Sequence, residues 1–117
     1  MQVITIREIQ PKDNPFIAKI IRNSLEEFGA NKPGTVYFDD STDHLFELFA
    51  AAKGSHYFIA LVDNVIVGGG GLFPTEALPT GTCELVKMYL QKNYRGIGLG
   101  KQMMNTCLAW AKENGLL

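Results

Sequence analysis

The segment from Arg95 to Lys101 carries three glycines at alternating positions, Gly96, Gly98 and Gly100, and this spacing can bind an anion. An apolar stretch rich in β-forming residues precedes the segment, and a helical pattern follows it directly. Glycine lets the backbone approach a ligand closely, and the first free N–H groups and the dipole of a helix attract negative charge. Phosphate is therefore the expected ligand of this turn.

The glycine spacing excludes two common phosphate-binding patterns. The dinucleotide fingerprint requires a third glycine where this chain has Lys101. The P-loop requires a glycine where this chain has Arg95, and a hydroxyl residue where it has Gln102. The pattern that remains is Arg-x-x-Gly-x-Gly after a strand with a glutamate, Glu84, near its start. It resembles the acetyl-CoA-binding signature of the Gcn5-related N-acetyltransferase (GNAT) superfamily.

Composition indicates one small domain over residues 1–117. The chain has 117 residues, of which 46% are hydrophobic, enough for a single core. The net charge of −1 shows no excess of positive charge, so we expect no nucleic-acid partner. The chain has neither a secretory leader pattern nor an apolar run of about 18 residues, so we expect a cytoplasmic protein with no membrane partner. Cys83 and Cys107 lack paired spacing and are expected to be reduced thiols, with no metal site.

Hydrophobic periodicity and turn residues predict the element order β-α-α-β-β-β-α. The predicted elements are a strand from Val3 to Ile9, a helix from about Asn14 to Gly29, a helix capped by Ser41 or Thr42 and ending at Gly54, a hairpin of His56–Val62 and Val65–Phe73, a strand from Cys83 to Leu90, and a helix from Leu99 to Asn114. This order predicts an α/β (α+β) fold with a mostly antiparallel mixed sheet and helices on both faces.

Two segments leave alternatives open. The four glycines from Gly68 to Gly71 lie inside a predicted strand, where they permit close packing against other elements or the approach of a ligand. The loop from Asn31 to Asp40 contains Tyr37 and Phe38, which either pack the loop down or contact a substrate.

The resemblance implies an acyl-CoA N-acyltransferase-like fold with roles for the fourth strand and the turn after it. In that family the fourth strand is bulged, its backbone binds the pantetheine arm and the acetyl carbonyl, and the turn holds the pyrophosphate. Carried over to this chain, the acyl arm lies along Met88, Tyr89 and Leu90. The phosphates lie at the backbone of Arg95, Gly96, Ile97, Gly98, Leu99, Gly100 and Lys101.

The same resemblance makes Glu84 the candidate general base, acting directly or through water. Strand alternation places Glu84 on one face with Val86 and Met88, provided that the bulge lies further along the strand. The alternative is that Glu84 is an ordinary half-exposed strand carboxylate. Neither Tyr89 nor Tyr94 matches the position of the family's proton-donating tyrosine, so we name no general acid.

The departure from the family lies at the end of the chain. The family continues after the third helix with a fifth strand, a helix and two strands, whereas this chain stops at Leu117. We therefore expect a fold truncated after the third helix, or a homodimer that covers the exposed strand edge, or a short divergent member.

The predicted function is transfer of an acetyl group from acetyl-CoA to a primary amine of a small molecule or peptide. The alternative is a half-domain that binds acetyl-CoA or coenzyme A with little or no catalysis. A weaker alternative is a structural domain in which the glycine turn only begins a helix.

Overall fold

The computed structural model describes residues 3–27, 29, 40–52, 54–73, 84–94 and 98–113. The strands are β1 (Ile4–Glu8), β2 (His56–Val62), β3 (Val65–Phe73) and β4 (Glu84–Leu90), and the helices are α1 (Asn14–Glu27), α2 (Leu45–Ala51) and α3 (Leu99–Glu113). The predicted element order is confirmed. The four strands form one sheet in the order β1-β2-β3-β4, and every neighbouring pair is antiparallel.

Helices cover both faces of the sheet, as predicted, because β2 buries side chains in both directions. Tyr57, Ile59 and Leu61 pack with α1 and α2 on one face. Phe58, Ala60 and Val62 pack with α3 on the other. The buried residues of α3 are Leu99, Met103, Cys107 and Ala111, which recur at helical spacing, whereas Met104 and Leu108 are exposed. Cys107 is a free thiol. We refer to these two faces as the α1/α2 face and the α3 face.

The hairpin between β2 and β3 has the predicted two-residue turn. Asp63 and Asn64 have φ angles of 51° and 69°. Positive φ at both central residues is characteristic of a type I′ turn, whose twist matches that of the flanking strands. Aspartate and asparagine tolerate this conformation better than most residues, so these residues set the hairpin register locally.

The start of α2 differs from the prediction that Ser41 or Thr42 caps it. A 3-10 turn, Asp40–His44, comes first, and the cap is supplied by Asn14 at the start of α1. The Asn14 Oδ1 accepts a hydrogen bond from the Phe46 N–H at 2.9 Å, and its Nδ2 donates to Glu47 Oε1 at 2.7 Å. One side chain therefore satisfies an otherwise unpaired N–H of α2 and ties the two helices together.

Close packing of protein atoms explains three of the four glycines of β3, and the fourth, Gly70, has looser contacts. A Cβ at Gly69 or Gly71 would lie within 3.0 Å of the Tyr57 ring, and one at Gly68 would lie within 3.0 Å of the backbone of β4. A Cβ at Gly70 would lie 3.2 Å from the side chain of Met103 in α3. Of the two alternatives for this tract, the contacts therefore favour packing.

Candidate active site

A β-bulge interrupts β4 just before the predicted acyl-binding segment, Met88 to Leu90. Gly69 of β3 is opposite Tyr89, but Gly71 is opposite Val86, so three steps along β4 match two along β3. The extra residue coincides with Lys87, whose φ of 51° is in the left-handed region that non-glycine residues rarely adopt. The bulge changes the direction in which the following peptide groups and side chains point.

The bulge corrects the predicted placement of Glu84. Val86 packs against the α1/α2 face, whereas Met88, two residues later, packs against the α3 face. The extra residue falls between them and reverses the alternation, so Glu84 shares a face with Val86 and not with Met88. The prediction that all three share a face required a bulge further along the strand, and this condition is not met. Glu84 itself is exposed at the start of β4.

Tyr57 lies beneath the bulge, and the sequence patterns did not single it out. Its hydroxyl donates a hydrogen bond to the Lys87 carbonyl oxygen at 2.7 Å, although the two residues are on different, non-adjacent strands. Its side chain is only 1% exposed, and burial raises the pKa of the phenol well above its ordinary value of 10. The sequence did contain a signal for this residue. A tyrosine in an apolar strand that pairs with a run of glycines can place its ring in the space that the missing side chains leave.

The start of α3 has the geometry expected of the helix that follows the glycine turn. Gly98 has a φ of 82°, and its carbonyl oxygen accepts a hydrogen bond from the Gln102 N–H at 3.1 Å. Apart from its two chain neighbours and the backbone of α3, none of the described residues has an atom within 4 Å of a Cβ built at Gly98. Glycine is therefore needed here for its backbone conformation and not to avoid a described side chain.

The first turn of α3 lies against the end of β4. A Cβ at Gly100 would be 3.5 Å from the Leu90 side chain. Leu99 is buried in the core of the α3 face, so its side chain anchors the helix and only its backbone is available to a ligand. Lys101 is exposed beside it. The fold thus brings together the two predicted parts of the site that lie within the described residues.

The remaining predicted residues of the turn, Arg95, Gly96 and Ile97, lie outside the described residues and stay predictions. The same is true of Cys83 and of the aromatic residues Tyr37 and Phe38. Tyr89 is described: it is half-buried on the α1/α2 face, and burial raises the pKa of its phenol.

A polar cleft of about 220 Å³ lies between the second half of α1 and the residues just before the glycine turn. It is lined by Ile20, Asn23, Ser24, Glu27, Gln91, Lys92 and Asn93. A larger cleft, of about 600 Å³, lies beside Arg7, Phe16 and the β2–β3 turn and contains none of the predicted site residues. The smaller cleft is therefore the one that adjoins the predicted site.

Two further observations concern the described part of the chain. Its helices include none that is both long and apolar enough to cross a membrane. Its His, Cys, Asp and Glu side chains form no group of three that could hold a metal ion.

Solved structures share this fold. An acetyltransferase of the GNAT family from Staphylococcus aureus Mu50 superposes with a TM-score of 0.79 at 18% identity, over 97% of this chain and 69% of that one. The PaiA N-acetyltransferase from Thermoplasma acidophilum, solved in complex with coenzyme A, superposes with a TM-score of 0.78 at 19% identity, over 98% of this chain and 76% of that one. The fold is that of the GNAT acyl-CoA N-acyltransferases.

Sequence comparison identifies the family. The model of the "Acetyltransferase (GNAT) family" matches residues 18–117. An N-acetyltransferase of Escherichia coli K12, YjgM, itself described as uncharacterized, is 35% identical over 112 residues. That match covers 94% of this chain and 66% of the relative, so the chain spans about two thirds of the relative's length. The chain belongs to the GNAT acetyltransferase family.

Proposed function

We propose that this domain binds acetyl-CoA and transfers its acetyl group to a primary amine of a small molecule or peptide. The observation that carries the proposal is that a Cβ at Gly100 would lie 3.5 Å from the Leu90 side chain, so the end of β4 lies beside the first turn of α3. A bulged strand offers backbone groups that its neighbour does not pair, and a helix start offers N–H groups to phosphate. A ligand with an acyl arm and a pyrophosphate can use the backbone groups of the strand for the arm and the N–H groups of the adjacent helix start for the pyrophosphate.

In this proposal the turn and the strand hold opposite ends of the same ligand. The amides from Arg95 to Lys101 bind the pyrophosphate, helped by the dipole of α3. The acyl arm runs along the backbone of Met88 to Leu90. Family membership and the coenzyme A complex of a GNAT structure with the same fold support this assignment.

The chemistry requires a neutral amine, a polarised thioester carbonyl and a proton for the departing thiolate. The amine nitrogen forms a bond to the carbonyl carbon, the carbon–sulfur bond breaks, and the amine loses a proton. We propose Glu84 as the group that takes this proton. Glu84 precedes Lys87, at the bulge, by three residues, or about 10 Å at about 3.3 Å per residue. This distance from the acyl-binding segment is too long for direct proton transfer, so we propose that Glu84 acts through water.

Replacing Glu84 by glutamine is expected to lower kcat about 100-fold and to change acetyl-CoA affinity less than about 2-fold, because the residue acts on the amine proton and not on the cofactor. Steady-state kinetics over a range of pH, with binding measured separately, check this. Glu113→Gln is the control, since Glu113 is the last residue of α3 and lies about 21 Å along that helix from its start. An E84Q variant with the wild-type pH–rate profile would remove Glu84 from the mechanism.

The second candidate function is a binding module that holds coenzyme A or acetyl-CoA without turnover. The observation that favours it is that β4 has one sheet partner, β3, within the described residues, so those residues supply a wall for the proposed site on the β3 side of β4 and none on its other side. A second copy of the chain pairing along β4 is one way to supply that wall.

A screen of amines for thiol release from acetyl-CoA separates the two functions. The transferase is expected to release coenzyme A only when an acceptor amine is present, in proportion to product formed. Binding of acetyl-CoA without thiol release for any amine would favour the binding module. The same screen, run on monomer and dimer fractions from size-exclusion chromatography, tests whether a second copy is needed.

A further inference from the structure

We propose that Tyr57 is a positioning residue for acyl transfer: its hydroxyl holds the Lys87 carbonyl and so directs the Met88 N–H of the same peptide toward the thioester oxygen. This inference rests on the proposed function. It concerns a residue in β2, outside the motif that carries the family resemblance.

The first step is the path of the Tyr57 side chain. Tyr57 starts in β2, and its ring passes under β3 to reach β4. The ring fits because Gly69 and Gly71 have no side chains: Cβ atoms there would lie 2.5–2.9 Å from ring atoms. The Phe49 ring packs against it at a centroid distance of 4.9 Å. The tyrosine is therefore held between a helix and two glycines with little freedom to move.

The second step is what the hydroxyl does at the bulge. An inserted residue disrupts the ladder locally, and the Lys87 carbonyl at this point accepts its hydrogen bond from Tyr57 at 2.7 Å. A fully buried carbonyl without a donor would cost about 1–3 kcal/mol. The bond to Lys87 is part-buried, so it favours the bulged conformation over a regular strand by at most that amount. The raised pKa of the phenol, caused first by burial, keeps the hydroxyl protonated as a donor at neutral pH.

The third step is the geometry of the peptide that joins Lys87 to Met88. In a planar trans peptide the C=O and the N–H point in opposite directions. A Lys87 carbonyl held toward Tyr57 therefore requires the Met88 N–H to point away from it. A donor fixed in this way can stabilise the negative charge that develops on the thioester oxygen during attack, and it needs no reorganisation in the reaction.

The fourth step is the link with the glycine tract. The glycine tract leaves room for the Tyr57 ring, and the Tyr57 hydroxyl stabilises the bulge. The bulge in turn orients the Met88 N–H in the acyl-binding segment. The same residues that pack the core on the α1/α2 face thus set the direction of a catalytic hydrogen bond. This connection explains why a tyrosine, and not the equally large phenylalanine, is suited to this buried position.

The test is Tyr57→Phe, which keeps the ring and removes the hydroxyl. We expect kcat to fall about 10-fold while the acetyl-CoA dissociation constant changes less than about 3-fold, because the affected hydrogen bond strengthens in the transition state. Ser55→Ala is the matched control. It also removes a hydroxyl that donates to backbone carbonyls, those of Phe49 and Ala52 at 2.7 and 2.6 Å, at the end of α2. Its kcat is expected to stay within about 2-fold of wild type.

A second readout is the amide proton resonance of Met88 in ¹⁵N-labelled protein. In the wild type it is expected to shift more with acetyl-CoA than with coenzyme A, and in Y57F this difference should be lost. A Y57F variant with wild-type kcat and the wild-type acetyl-specific shift would overturn this inference while leaving the proposed function intact. A wild type that binds neither acetyl-CoA nor coenzyme A would overturn the proposed function and this inference together.

Discussion

Gly68→Ala is expected to destabilise the domain by about 3 kcal/mol, because the added methyl group has no space. Its Cβ would lie within 3.0 Å of the Tyr89 carbonyl oxygen, which belongs to the backbone of β4 and cannot turn aside. The clash can be removed only if β4 moves away from β3, and that movement breaks the pairing of Gly68 with Leu90. Urea unfolding measures the effect as a fall in the free energy of unfolding with little change in the slope.

Gly70→Ala is the matched control in the same strand. Its Cβ would lie 3.2–3.4 Å from side-chain atoms of Met103 and Met88, which are flexible and can yield. We expect a loss below about 1 kcal/mol, partly offset because alanine has less backbone entropy to lose than glycine. Equal losses in the two variants would mean that the contact with β4 does not explain the glycine at position 68.

Gly98→Asp is expected to weaken acetyl-CoA binding at least about 100-fold, or about 2.8 kcal/mol. The carboxylate would stand at the start of α3, where the proposal places the pyrophosphate, and would repel it. At a ligand concentration 100 times the wild-type dissociation constant, the wild type gains about 2.7 kcal/mol of stability, whereas the variant would gain about 0.4 kcal/mol. A thermal titration with acetyl-CoA distinguishes the two.

Gly98→Asn separates charge from backbone strain. Asparagine has nearly the same shape as aspartate and also tolerates the φ of 82° that Gly98 adopts. It is neutral, so we expect its affinity for acetyl-CoA to fall less than about 5-fold. If the aspartate variant bound as well as the asparagine variant, the phosphate site would lie elsewhere.

The sequence predicted the elements because their signals are local. Asp63 and Asn64 set the hairpin turn, and the stripe of Leu99, Met103 and Cys107 placed α3 against the sheet. Each depends on residues close together in the chain, so a pattern in the sequence can indicate it.

The features that the sequence did not predict depend on contacts between distant segments. Asn14 caps a helix whose first turn lies 32 residues later. The bulge coincides with Lys87, where the carbonyl accepts a hydrogen bond from Tyr57, 30 residues away. Strand alternation alone could not locate that bulge, so the shared face of Glu84 and Met88 could be predicted only on the condition that the bulge lies further along the strand.

The most direct test of the central claim is the thermal unfolding midpoint of the 117-residue chain in increasing acetyl-CoA, with coenzyme A in parallel. If β4 and the start of α3 form an acetyl-CoA site, a concentration 100 times the dissociation constant should raise the midpoint by roughly 10 °C. Coenzyme A should raise it too, since it has the same pyrophosphate. An unchanged midpoint with both compounds at millimolar concentration would contradict the account.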